Sequence, residues 1–99
     1  MQERFAVVFR IGESALATAG ALEVDGVHLR LRGGSGADRQ ELEIPLADLS
    51  DVRVERRRGE RLNGYPTLVL ERLNLPPVQV APVGMTLLAE IAGRVSAHA

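Results

Sequence analysis

Leu22-Glu23-Val24-Asp25-Gly26-Val27-His28-Leu29-Arg30-Leu31 is the stretch on which the fold class turns. Apolar and polar residues alternate on both sides of Asp25-Gly26, the period of a strand with one buried face. Asp-Gly between two such runs predicts a two-residue hairpin turn, because both central residues of that turn need positive φ. Such a turn pairs Val24 with Val27, Glu23 with His28 and Leu22 with Leu29. Leu22, Val24, Val27, Leu29 and Leu31 then share one face, and Glu23, His28, Arg30 and Arg32 share the other.

The same period extends outward. Phe5, Val7, Phe9 and Ile11 alternate with Ala6, Val8 and Arg10 as a first strand, and residues 15–24 form the second. Gly33-Gly34-Ser35-Gly36-Ala37-Asp38 reads as a loop. Leu42, Ile44 and Leu46 alternate with Glu41 and Glu43 in a fourth strand ending near Pro45, and residues 47–50 turn a corner. Val52 and Val54 alternate with Asp51, Arg53 and Glu55 in a fifth. Residues 57–66, with Gly59 and Asn63-Gly64, make a second loop. Leu68 and Leu70 flank Val69 in a sixth strand. Pro76-Pro77 breaks the chain before a short seventh at 78–81. Val8 and Val69 fall on the faces assigned to water.

From Met85 onward the period changes to three and four. Leu88, Ile91, Ala92 and Val95 mark one face of a C-terminal helix of about three turns, beginning after Pro82 and Gly84, with Glu90 and Arg94 at i,i+4. No second helix is present to cover that face, so it must pack on the sheet or on a partner. The 99 residues carry no repeat, low-complexity segment or interior linker, and residues 1–99 read as one domain.

Composition narrows the chemistry. Apolar residues make up 45% and charged residues 25%, as in an ordinary globular domain. Cysteine is absent, which removes disulfides, thiolate metal ligands and thiol nucleophiles. No apolar run approaches the roughly 18 residues of a membrane span, and Met1-Gln2-Glu3-Arg4-Phe5 lacks the features of a secretory leader. A cytoplasmic protein is expected, at most one held at the inner face of the membrane. The only histidines, His28 and His98, do not make a metal site. Ser14, Ser35, Ser50 and Ser96 sit outside any nucleophile elbow. The Gly33–Gly36 run lacks the spacing of a phosphate-binding loop and precedes a strand. Glu41 and Glu43 share a strand face, as do Asp51 and Glu55, but nothing in the sequence raises a carboxyl pKa there. No enzyme activity and no cofactor are expected.

Net charge is −1, which gives no global field for nucleic acid or anionic lipid. All twelve basic residues are arginine. Five of them, Arg53, Arg56, Arg57, Arg58 and Arg61, cluster with Tyr65 on the fifth strand and the loop that follows. Three readings of these six residues stand side by side: a solvated hairpin tip, a contact for an acidic protein partner or lipid headgroups, and a grip on phosphates. Glu55 and Glu60 dilute the field, and a single aromatic is a poor base-stacking platform, so nucleic acid ranks last. Ala15, Ala17, Ala19 and Ala21 alternate along one side of the second strand. They either pack inside a barrel, the preferred reading, or dock against a second copy of the chain.

The order of elements resembles a bacterial pleckstrin-homology-like or GRAM-like domain. Ile44-Pro45-Leu46-Ala47-Asp48-Leu49-Ser50-Asp51-Val52 looks like the corner common in that family, and Thr67-Leu68-Val69-Leu70, Val78-Gln79-Val80 and the helix match its ending. The resemblance spans about residues 5–95. It implies two nearly orthogonal sheets forming a barrel of seven antiparallel strands, capped by the helix. Glu13 stands in Ile11-Gly12-Glu13-Ser14 where phosphoinositide-binding members carry cations, and the tryptophan of their terminal helix is missing. The resemblance therefore carries the fold and not inositol-phosphate binding. The expected function is a non-catalytic binding or scaffold domain that recognises a protein segment, by strand addition or through the arginine hairpin. The second expectation is a membrane-surface module using those arginines on anionic headgroups.

Overall fold

The structure, a computed structural model, describes residues 3–12, 17–55, 66–83 and 88–98. Seven antiparallel strands precede one helix: β1 (Glu3–Ile11), β2 (Thr18–Val24), β3 (His28–Gly33), β4 (Gln40–Pro45), β5 (Leu49–Glu55), β6 (Thr67–Arg72), β7 (Leu75–Pro82) and α1 (Leu88–His98). Short 3-10 turns at Gly36–Asp38 and Leu46–Asp48 join β3 to β4 and β4 to β5. The strands form one sheet in the order β4-β3-β2-β1-β7-β6-β5.

The β2–β3 hairpin forms where expected, but its register differs by two residues. Val24 pairs with Leu29, Glu23 with Arg30 and Leu22 with Leu31. The cause lies in Asp25. Its carboxylate accepts the backbone N–H groups of Val27 at 2.9 Å and His28 at 2.7 Å. Its own N–H donates to the His28 carbonyl at 3.2 Å. Gly26 takes φ 92°, while Asp25 stays out of the left-handed region that the two-residue turn needs. The Asx turn therefore replaces that turn and widens the loop. A shift of two preserves the side each residue faces. Leu22, Val24, Leu29 and Leu31 are buried as expected, and Val27 moves into the loop, 63% exposed.

Accepting those two N–H bonds, His28 first and Val27 second, holds the Asp25 carboxyl below its ordinary pKa, with Arg30 adding attraction. A lowered folded-state pKa means that the turn's stabilisation is present above the ordinary aspartate range. It is lost as pH falls through the folded value. A carboxyl titration followed by NMR should put the Asp25 midpoint below that of an unstructured aspartate. An Asp25→Ala variant should lose this part of the acid sensitivity.

β6 and β7 are joined by Leu73-Asn74, with Asn74 at φ 59°, and Arg72 pairs with Leu75. The prolines do not break the chain before β7. Pro76 and Pro77 lie within it, where the β6–β7 register shifts and before pairing with β1 begins at Ile11↔Val78. A missing N–H is tolerated at such a site. The Pro77 carbonyl accepts the Gly12 N–H at 2.8 Å, and Arg72 donates to the Pro76 carbonyl through Nε and a terminal nitrogen.

One apolar cluster runs through every layer: Phe5, Val7 and Phe9 of β1, Leu22 and Val24 of β2, Leu29 and Leu31 of β3, Ile44 of β4, Leu68 and Leu70 of β6, Val78 and Val80 of β7, and Ile91 and Val95 of α1. A flat sheet of seven strands would be about 29 Å wide at ~4.8 Å per gap. An eleven-residue helix, about 16 Å long, cannot cover that width. The sheet must curl around its own apolar face, and α1, packed by β5 and β6, adds Ile91 and Val95 to the core. The backbone ladder is one sheet rather than two, and it is not closed: β4 and β5 are its ends, with no β4–β5 ladder among the described residues.

Two apolar expectations are corrected. Ala19 and Ala21 lie on the sheet's outer face, opposite Val8 and Ala6, rather than inside. The parity that buries Leu22 and Val24 sends them outward. Ala17 and Ala19 are exposed, and Ala15 lies outside the described residues. Val69, expected to face water, is buried between Gln79 and Arg53 on its two neighbouring strands.

Candidate functional site

Of the six residues proposed as an anion or partner contact, the described part of the structure contains Arg53. Arg56, Arg57, Arg58, Arg61 and Tyr65 lie outside the described residues. Arg53 points outward from β5 opposite Val69. It donates to Glu55 at 3.0 Å and to Glu71 at 3.2 Å. The hydrogen bond to Glu71 is the main cause of its raised pKa, and the charges of Glu71 and Glu55 add to it. The sequence places Glu55 two residues away on the same face. Only the β5–β6 register brings Glu71 to the other side. Arg53 is therefore a compensated cation.

The outer face of β1 to β4 carries a row of alternating charge. Arg4 pairs with Glu23, Glu23 with Arg30, and Arg30 with Glu43 in register. Arg30 donates to Glu43 at 3.0 Å, and this bond is the main cause of its raised pKa. Glu41 is bridged by Arg39. The carboxylates at 41 and 43 are thus each held by an arginine, the arrangement of a wet sheet face rather than of an acid–base pair.

The two sheet ends differ. β4 presents Glu41 and Glu43 and stops at Pro45, devices that discourage further pairing. Among the described residues β5 pairs with β6 alone. It carries Val52, half-buried against the core, and Val54, 38% exposed.

A further group was not anticipated from the sequence. Arg10, Gln79, Val69 and Arg53 stand side by side across β1, β7, β6 and β5. With Gly12, Glu55 and Pro77 they line an outer-face pocket of about 370 Å³. Arg10 Nε and Gln79 Oε1 are buried there without hydrogen-bond partners. The alternation marks both residues as outward-facing. Their adjacency depends on β1 pairing with the last strand, which no local signal announces.

Among the described residues no three metal-ligating side chains come together, and no helix is long and apolar enough to cross a membrane. No protein-family model and no curated protein matches the chain. Among solved structures, it is similar to the C-terminal domain of an unknown protein from Leishmania infantum. That likeness has a TM-score of 0.73 at 9% identity and covers 97% of this chain and 81% of that one. At that identity it speaks to the fold alone.

Proposed function

We propose that this chain is a non-catalytic, pleckstrin-homology-like binding domain that recognises an extended segment of another protein by strand addition at β5. The order of seven strands and then a helix is what the family resemblance implies, and the curled sheet agrees with an open form of its barrel. The observation that carries the function is the asymmetry of the sheet ends. β4 ends in proline, whereas β5 contains none and, with Asp51, Arg53 and Glu55 on its outer face, carries Val52 and Val54 on the other, along a side that no described strand pairs. Main-chain bonds at such an edge supply affinity, and alternate side chains supply selectivity. Arg53, already held by two carboxylates, favours this edge over a purely electrostatic grip.

A displayed library of extended peptides, panned against the domain, tests the proposal. The selected peptides should carry alternating apolar residues and shift the amide resonances of residues 49–55. Val54→Lys places a charge at an exposed edge position and should weaken capture about tenfold, or 1.4 kcal/mol, without unfolding the domain. Salt-sensitive sedimentation with phosphatidylserine vesicles, lost in the Arg56/Arg57/Arg58→Ala variant, would instead establish the membrane-surface reading.

A further inference from the structure

We propose that the outer-face pocket at Arg10 and Gln79 is a separate recognition site for a carboxylate that carries an N–H on the adjacent carbon, the chemistry of a peptide's free C-terminus. Arg10 and Gln79 are direct partners on β1 and β7. One leaves a buried donor unused, Arg10 Nε, and the other a buried acceptor, Gln79 Oε1. Buried polar atoms are nearly always hydrogen-bonded, to protein or to ordered water, so an orphaned donor and an orphaned acceptor on directly paired residues mark a place where a bound molecule can supply partners.

Charge selects the ligand. Arg53, at the far end of the row, is held by Glu55 and Glu71. Arg10 makes no ion pair with a described carboxylate. Among the described residues Arg10 is therefore the cation of this row without a partner carboxylate, and an anionic acceptor suits it best. A phosphodiester or a fully ionised phosphate would present only acceptors and leave Gln79 Oε1 facing an anion. A simple carboxylate would satisfy Arg10 and leave Gln79 unmet. A terminal carboxylate with its own amide N–H does both, the oxygen accepting from Arg10 Nε and the N–H donating to Gln79 Oε1. Val69 and Pro77 supply apolar lining beside this pair for the terminal side chain. The volume lies within the roughly 300–1,000 Å³ of small-ligand sites.

The site is independent of the β5 edge, and its test keeps the two apart. The ¹⁵N-labelled protein is titrated with acetyl-glycyl-leucine as the free acid, with the same dipeptide amidated at its C-terminus, and with N-acetylleucine. The free acid should shift the Arg10 Nε–H and Gln79 side-chain amide resonances, and amidation should weaken binding about tenfold or more. N-acetylleucine binding as tightly as the dipeptide would identify a free acylated amino acid, rather than a protein terminus, as the source of the same chemistry. Arg10→Gln and Gln79→Leu should each abolish the shifts, while Val54→Lys should leave them intact. Equal affinity for acid and amide, no shift with any probe, or shifts confined to residues 49–55 would each overturn the proposal. The acid–amide comparison uses the unaltered protein, so it decides the matter even if a variant fails to fold.

Discussion

Gly20→Val should destabilise the domain by about 3 kcal/mol, the upper part of the range for overpacked interiors. Gly20 faces Gly33 across β2 and β3, on the same side as Leu22. A Cβ at Gly20 would lie 1.9 Å from the Arg32 carbonyl oxygen and 2.6 Å from the Gly33 Cα. Both are backbone atoms of the neighbouring strand, so no side-chain rotation relieves the contact. β2 and β3 must separate at the Gly20–Gly33 pair. A loss of this size is a large share of the roughly 5–15 kcal/mol available to a small domain. Urea unfolding should show the midpoint falling with the slope unchanged. An unaltered midpoint would mean that β2 and β3 do not approach this closely in solution.

What was legible in the sequence divides along a physical line. The side each residue faces depends only on parity, and parity survives a register shift of two. Leu22, Val24, Leu29 and Leu31 therefore face the core in either register. The register itself depended on one side chain. Asp25 can adopt the left-handed conformation or use its carboxylate to bind Val27 and His28, and the sequence does not say which wins. The period-three and period-four spacing of Leu88, Ile91, Ala92 and Val95 located α1 well, because nothing else competes with that spacing. Pro76-Pro77 misled in the opposite way: proline is excluded from paired strand interiors, but here β7 begins before its pairing with β1 does.

The candidate sites were less legible because they are built from non-local pairs. Arg53 was visible as part of a basic cluster, but Glu71 reaches it only through the β5–β6 register. Arg10 and Gln79 come from the first and last strands. Their facing was readable, and their partnership was not. Closure of the backbone ladder is of the same kind. It depends on whether β4 and β5 meet, and apolar alternation reads the same for a curled sheet as for a closed one.

Phe9→Ala should have the largest effect of any single substitution considered, about 3–5 kcal/mol. Phe9 is fully buried, and it is paired in register with Thr18 on one side and Val80 on the other. Its ring is therefore packed in the core beneath three paired strands, β2, β1 and β7, which cannot collapse readily into the space left behind. For a domain of this size the melting temperature should fall by roughly 15–30 °C. Phe5→Ala, nearer the margin of the core at 9% exposure, should cost less because that site can relax toward solvent. A loss below about 1.5 kcal/mol at Phe9 would mean that the curled sheet does not close around it. The consequence reaches the outer face. Arg10 and Gln79 follow Phe9 and precede Val80 on the same two strands, so a cavity beneath β1 and β7 loosens the frame that holds the unpaired donor beside the unpaired acceptor. Amide exchange at residues 8–11 and 78–81 should rise in Phe9→Ala. Binding of the free-acid dipeptide should weaken with it, although the substituted ring lies on the opposite face of the sheet.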